Sequence, residues 1–370
     1  MNSRLIIASC LIVLFLSCGR QSSETAAIEQ TKEHIINQKI PELEAGEVFY
    51  KNKDPFGETI LLYGEQVFVE PIIFKPHEVE MVVEDNSLVV KNRGEHAFMQ
   101  FSLPDFNIRR LNGTYGPGPD EFIFPRIVPS VDTSLICYVF ESANQKLYQF
   151  DKKGNLSFYP FPFSSPGQRR YSDKQLVNVG MDDFMYVETS PTGKSIYRAV
   201  QIADSMVIKE VFDLGLNPKR KSWANYIGDF AVNVKQNRMV YAYKYFKIIK
   251  FMDMEAQTVR TINFEREEFD ESTLYKIDGM DQNVTHYWGI CGQDKYVYHL
   301  YSGRTPMEVM RENNKSQYYI FVEQYDWNGN PIAKYKLDRW GYFTVDEDSR
   351  RLYLMSTNDD EPIFIYQLPE

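Results

Sequence analysis

Short apolar runs recur along the chain in pairs, each pair broken in the middle by an acidic or amide-rich turn. Six such pairs read MVVEDNSLVV (81–90), IVPSVDTSLICYV (127–139), VNVGMDDFMYV (177–187), VNVKQNRMVYAY (232–243), WGICGQDKYVYHL (288–300) and YFTVDEDSRRLYLM (342–355). Alternation with period two puts successive side chains on opposite faces, the pattern of a half-buried strand, and Asp, Asn or Gly between two such runs marks a hairpin. The first turns centre on Asp85, Asp132, Asp182, Gln236, Gln293 and Glu347. A second turn follows in every unit: NRGE (92–95), SANQ (142–145), PTGK (191–194), a turn at Lys244, a long insertion over 302–316, and NDDE (358–361). A third follows in five of them, near Asp105, Asp204 and Glu255 and in DKKGN (151–155) and DWNGN (326–330). Each unit is therefore expected to be a four-stranded antiparallel meander, and a period of roughly fifty residues belongs to propellers and solenoids.

The sixth unit reaches Glu370 with only three strands, while TILLYGEQVFVE (59–70) stands as an orphan strand ahead of the first unit. Both facts are met if that N-terminal strand completes the last blade, because a closed ring leaves no exposed sheet edges. The expected fold is an all-β six-bladed propeller over residues 46–370. An open β-solenoid or a two-domain β protein explains neither the orphan strand nor the short last unit.

Composition agrees with this and narrows the partners. Tyr and Phe contribute 25 residues each, and aromatic side chains favour pleated, half-buried surfaces. A formal net charge of −10 argues against nucleic acid as a partner.

At the N-terminus Arg4 precedes the apolar run Leu5–Leu16, which is too short to span a bilayer and suits a signal-peptide core. The run ends in LFLSCGR, where a small residue is followed by Cys18 and Gly19. This resembles the lipobox of bacterial lipoproteins. The resemblance implies cleavage after residue 17, lipid on Cys18 and anchoring in the cell envelope by more than one acyl chain. Gly19, rather than Asp, implies sorting to the outer membrane. A plain secretory signal is the other reading. Residues 18–45 are polar and read as a tether. Cys10 leaves with the signal, so Cys137 and Cys291 remain, either as a disulfide or as two buried thiols.

Between the first and second units lies RLNGTYGPGPDEFIFP (110–125). No Lys-Ser/Thr pair follows its glycines, so a phosphate cradle is not expected. GPGPDEF resembles the G-x-G-P-x-E-F motif of bacterial six-bladed propeller lipoproteins related to the TolB-like and NHL-type propellers. Gly116, Gly118, Pro119, Glu121 and Phe122 match it, and Asp120 stands where a small residue is expected. The resemblance spans the lipobox, this loop and the repeat, and it implies a fold and a location rather than an activity.

In a meander blade the second turns and the blade-to-blade links share one end of the ring. Here that end carries the long segments, so it is the expected binding face. Two of its links are basic in an acidic chain. They hold Arg169, Arg170 and Tyr171, then Lys219, Arg220, Trp223 and Tyr226, with Lys174 and Lys221 beside them. Guanidinium groups beside aromatic rings suit a carboxylate, sulfate or phosphate and a stacked sugar ring; ordinary solvated loop charge is the alternative. Some six-bladed propellers gather oxygen ligands for calcium in the channel and act as hydrolases or lyases on carbohydrates or lactones. Glu121, Asp229, Asn233 and His286, each placed near the start of an inner strand, are the candidates for such a site, against a role as plain channel-lining groups. There is no HExxH, no GxSxG and no Cys/His cluster with ligand spacing. The expectation is a non-enzymatic binding or scaffold module for a protein, peptide or oligosaccharide, with no cofactor; a calcium-dependent enzyme is the alternative.

Overall fold

In the computed structural model, the described residues are 42–370 apart from 52, 70–71, 76–78, 119–120, 162–174, 191–192, 204, 217–225, 265–275, 278–279 and 282. The expected signal peptide, Cys18 and most of the tether lie outside them.

Six meanders follow one another as the repeat predicts. The inner strands are Glu80–Glu84, Pro125–Val128, Leu176–Gly180, Gly228–Asn233, Thr285–Gly292 and Gly341–Asp346. Each pairs antiparallel with the next strand in sequence, and the order continues outward without crossover. The sixth blade has three strands of its own and takes its fourth, Glu65–Gln66, from the N-terminus, antiparallel to Ile363–Gln367. The Val67 amide extends this pairing to the Ile363 carbonyl at 2.8 Å.

Two features of the N-terminal segment go beyond the repeat. Gly46–Phe49 adds a fifth strand, parallel, to the edge of the fourth blade at Val259–Asn263. Ile60–Leu61 does the same to the fifth blade at Pro331–Lys336. The stretch 59–70 is thus shared between two blades instead of forming one closing strand. The segment laces the outer edges of blades four, five and six in turn before the chain enters blade one. Leu43 is buried in the cluster between blades four and five, so the folded unit begins there, slightly ahead of residue 46.

The core is divided among the blade interfaces. Six apolar clusters occupy them, joining blades one and two, two and three, three and four, four and five, and five and six, and finally six and one. The last of these packs Tyr353, Met355 and Ile363 against Leu88, Val90, Met99 and Phe101 and closes the ring. Burial of side chains this large stabilises by about 1.5–3 kcal/mol each. Cys137 and Cys291 are both free. Burial pushes the Cys137 thiol up to about 12, so it is inert.

Turn chemistry explains why the hairpins fall where they do. Asp85 and Asn86 both take left-handed backbone, as a two-residue hairpin turn requires, and Asp182 and Asn237 do so in blades three and four. In the third turns of blades two, four and five, Asp151, Asp253 and Asp326 each accept backbone N–H groups two and four residues ahead. The insertion in blade five holds the helix Pro306–Asn313, started by a capping box between Thr305 and Glu308. Among the described residues no helix is long and apolar enough to cross a membrane.

Candidate functional site at the channel mouth

Inner strands of all six blades line a central channel of about 1770 Å³. Every inner strand begins at the end of the ring that carries the second turns and the links, so residues at strand starts form the rim of the mouth there.

Glu80 opens the first of these strands. Its Oε1 accepts Arg126 Nε at 2.9 Å and Lys91 Nζ at 3.2 Å, and its Oε2 accepts the Ile127 amide at 2.6 Å. Lys91 Nζ also donates to the Pro125 carbonyl at 3.2 Å. Burial works to raise the Glu80 carboxyl, but Arg126, Lys91 and the Ile127 N–H outweigh it and hold the pKa below the usual range. Across the opening, Gln175 Nε2 donates to Asp229 Oδ1 at 3.0 Å and to the Gly228 carbonyl at 2.9 Å. Burial raises the Asp229 pKa, and the charges of Lys244, Arg126 and Lys194 offset this only in part. Lys244 Nζ stands 5.7 Å over the ring of Trp288, which lines the channel in blade five. Phe124, half exposed, lines it from blade two. The rim thus combines the carboxylates of Glu80 and Asp229, the cations of Lys91, Arg126 and Lys244 and aromatic faces with the apolar channel residues Val82, Val177, Ala231 and Ile290.

A side pocket of about 920 Å³ opens beside this mouth over blades one and two. It shares Arg93, Tyr115 and Ile123 with the channel, and Phe74, Lys75 and Gly116 complete much of its wall.

The loop 113–125 supports that wall. Thr114–Tyr115 pairs in parallel with Glu121–Phe122, and the Gly118 amide donates to Glu121 Oε2 at 2.7 Å. A Cβ on Gly116 would lie 2.0 Å from the same carboxylate oxygen, so glycine is required for the Glu121 side chain to fold into its own loop. Phe122 anchors the loop in the core, edge-on to Phe98 and Tyr148. Residues 119–120 of the GPGPDEF motif lie outside the described residues; the rest of the motif forms a self-capped corner of the scaffold.

Of the four calcium candidates only Asp229 belongs to the rim. Glu121 is spent on the glycine loop. Asn233 ends its inner strand instead of starting it, and at the opposite end of the ring its amide donates to the Gln293 and Asp294 carbonyls at 3.2 and 2.9 Å. His286 is buried, stacked nearly parallel to Tyr301 at 6.2 Å. Among the described residues no three His, Cys, Asp or Glu side chains converge on one point. Arg169, Arg170, Tyr171, Lys219, Arg220 and Trp223 lie outside the described residues. Tyr226 is half-buried against the cluster between blades three and four, and its carbonyl accepts the Tyr241 hydroxyl.

Sequence reasoning passed over Glu80, Lys91, Arg126 and Gln175. Their signal is a charged or amide residue at or next to the end of an apolar strand, as in SLVVK and PRIV, and it becomes meaningful only once strand ends are known to converge.

The sequence matches a family model described as TolB-like, 6-blade propeller-like, over residues 60–348. Two crystal structures share the architecture. A member of the DUF4221 family from Bacteroides vulgatus aligns with a TM-score of 0.52 at 13% identity, over 82% of this chain and 97% of its own. A protein from Bacteroides fragilis, provisionally named as exported, aligns with a TM-score of 0.52 at 10% identity, over 88% of this chain and 100% of its own. At such identities the likeness is one of fold alone. None of the curated proteins matches the sequence.

Proposed function

The chain belongs to the family of TolB-like six-bladed propellers, and we propose that its working surface is one end of the ring and that it is a lipid-anchored binding module of the bacterial envelope. It holds a protein, peptide or oligosaccharide at the mouth of the channel and does not transform it. The observation that carries this reading is the mouth itself: cations, carboxylates and ring faces from the inner strands and the strand ends and turns beside them surround an opening large enough for a ligand. The lipobox at Cys18, and the name given to the Bacteroides fragilis neighbour, support export. Gly19 supports the outer membrane as the destination. The dispersal of Glu121, Asn233 and His286 counts against a shared calcium centre.

The anchor is tested by Cys18→Ala, which is expected to move the protein from the membrane pellet to the soluble fraction; retention in the pellet overturns the lipid assignment. That soluble variant then serves for binding. Its melting temperature is expected to rise with at least one member of a panel of acidic peptides and acidic oligosaccharides, because a ligand that binds only the native state stabilises it. The rise is expected to vanish in Arg126→Gln and Lys244→Gln. A panel with no effect, or a rise that survives both substitutions, removes the channel mouth from the reading.

A further inference from the structure

The side pocket differs in charge from the rest of the molecule. Acidic residues outnumber basic ones 51 to 41 over the chain, yet the charged groups among the described residues lining this pocket are Lys75 and Arg93, with no carboxylate. Both are exposed, and neither side chain has an ion-pair or hydrogen-bond partner among the described residues. The nearby acid of the loop, Glu121, is turned into the glycine corner and taken by the Gly118 amide. The Glu80 carboxylate in the adjoining channel is already shared by Arg126 and Lys91. Two cations with no counter-ion among the described residues therefore line the pocket, where their field favours an incoming anion.

The site is not isolated. Arg93, Tyr115 and Ile123 line the pocket and the channel together, so the two cavities adjoin across these three residues. A ligand that fills both must be elongated. It must also be anionic at more than one point, since the mouth offers Arg126 and Lys244 and the pocket offers Lys75 and Arg93. Peptides taken in extended form pair with a strand edge. Here the wall is built from turn and loop residues and from the two-residue strands at Tyr115 and Phe122, which already pair with each other. What the wall does present is side chains: cations and the rings of Phe74 and Tyr115, with the more exposed Phe124 in the adjoining channel. The Arg93 guanidinium and the Lys75 ammonium suit carboxylates, and the aromatic faces suit the C–H faces of the sugar rings that carry them.

Building on the channel-mouth reading, we infer that the side pocket is a second anion subsite, and that the ligand spanning mouth and pocket is an acidic oligosaccharide bearing carboxylates on successive rings. Arg93 sits at the junction and contacts the chain as it passes from one cavity to the other. Lys75 holds the carboxylate at the outer end.

The probes are galacturonic acid, its di-, tri- and tetramers, their methyl esters, and penta-glutamate as the peptide control. Binding is followed by calorimetry and by the fluorescence of the soluble Cys18→Ala protein, in which Trp288 reports on the channel. Affinity is expected to rise at least tenfold between the monomer and the tetramer, and to be lost on methyl esterification. The double variant Arg93→Gln, Lys75→Gln is expected to bring the tetramer to within threefold of the monomer and to leave monomer binding unchanged. Both side chains are exposed, so the variant keeps the fold, which its melting curve checks. Four results overturn the inference. In the first, the tetramer gains nothing over the monomer while the monomer still depends on Arg126; the side pocket then fails and the channel mouth stands. In the second, the gain persists in the double variant. In the third, penta-glutamate binds through Arg93 and the uronates do not, which reassigns the pocket to a peptide. In the fourth, no acidic probe binds, and the mouth and the pocket fail together.

Discussion

At the scale of single residues, the charged groups of the ring are held in two contrasting ways. Between blades four and five, Glu323 is fully buried. Lys334 and Lys247 lie 3.5 and 3.6 Å from its Oε1, and the hydroxyls of Tyr325 and Tyr287 donate to its Oε2 at 3.3 and 3.4 Å. Asp54 from the N-terminal segment completes the set with Lys334 at 2.9 Å. Burial lowers the Lys334 pKa, but Glu323 and Asp54 outweigh it and the net shift is upward. His299, directly opposite Glu323 in the ladder, is buried between the rings of Tyr287 and Tyr325, and neither of its nitrogens has a hydrogen-bond partner among the described residues. Burial lowers its pKa to about 3. A base whose folded pKa is depressed is protonated more readily in the unfolded chain, so it costs stability as pH falls from about 6.5 toward 3. Urea unfolding should therefore show His299→Leu losing about 3 kcal/mol less than the parent between pH 7 and pH 4, at ~1.4 kcal/mol per unit; equal losses refute the assignment. Glu80 at the channel rim has the opposite character. Its lowered pKa adds stability that is full above the ordinary carboxylate range and is lost as pH falls through the lowered value. Glu80→Gln should cost about 2 kcal/mol at neutral pH, less than a wholly buried pair because the side chain keeps partial access to water. The check is a denaturant midpoint.

At the scale of elements, the third turns form a natural comparison. Blades two and five place Gly154 and Gly329 at left-handed backbone, φ 77° and 80°, three residues after the capping aspartate. Blade four has Ala256 at the same position with φ 52°. A Cβ there costs about 1 kcal/mol, part of which glycine returns through a looser unfolded chain. Ala256→Gly should therefore stabilise by roughly 0.5 kcal/mol. Gly154→Ala should destabilise by about 1–2 kcal/mol, because its new Cβ would also meet Leu111 Cδ2 at 2.9 Å. Paired urea curves decide, and an Ala256→Gly variant weaker than the parent would refute the strain argument. The turns were legible in advance because Asp, Asn and Gly carry local hydrogen bonding and backbone freedom with them. The parallel fifth strand at Gly46–Phe49 was not, since four residues whose pairing lies at an already complete blade leave no period to detect.

At the scale of the whole molecule, the N-terminal segment acts as a strap. It adds strands to blades four and five, supplies the missing strand of blade six and brings Leu43, Phe56 and Leu62 into the clusters there. Removing residues up to 58 should leave a closed ring that still melts cooperatively, with blade four uncapped. Removing residues up to 70 should open blade six, cost about 5 kcal/mol or more through lost apolar burial, and expose a sheet edge prone to self-association. Calorimetry with light scattering separates the two. A protein starting at residue 71 that melts like the parent would show that closure does not depend on Glu65–Gln66.

By itself the sequence determined the number of blades, the meander order, the position of the hairpins and the need for an N-terminal closing strand, because each follows from period-two burial and from turn residues acting over a few neighbours. The lipobox reading likewise rests on contiguous residues. The tertiary structure alone decided what the loop and the channel are. Glu121 and the glycines of GPGPDEF are close in sequence, yet only the folded corner shows the carboxylate lying where a Cβ would be. Glu80, Arg126, Gln175 and Asp229 are separated by tens of residues and stand on four different blades. They meet because ring closure brings strand ends to a common axis, and no local pattern encodes that convergence.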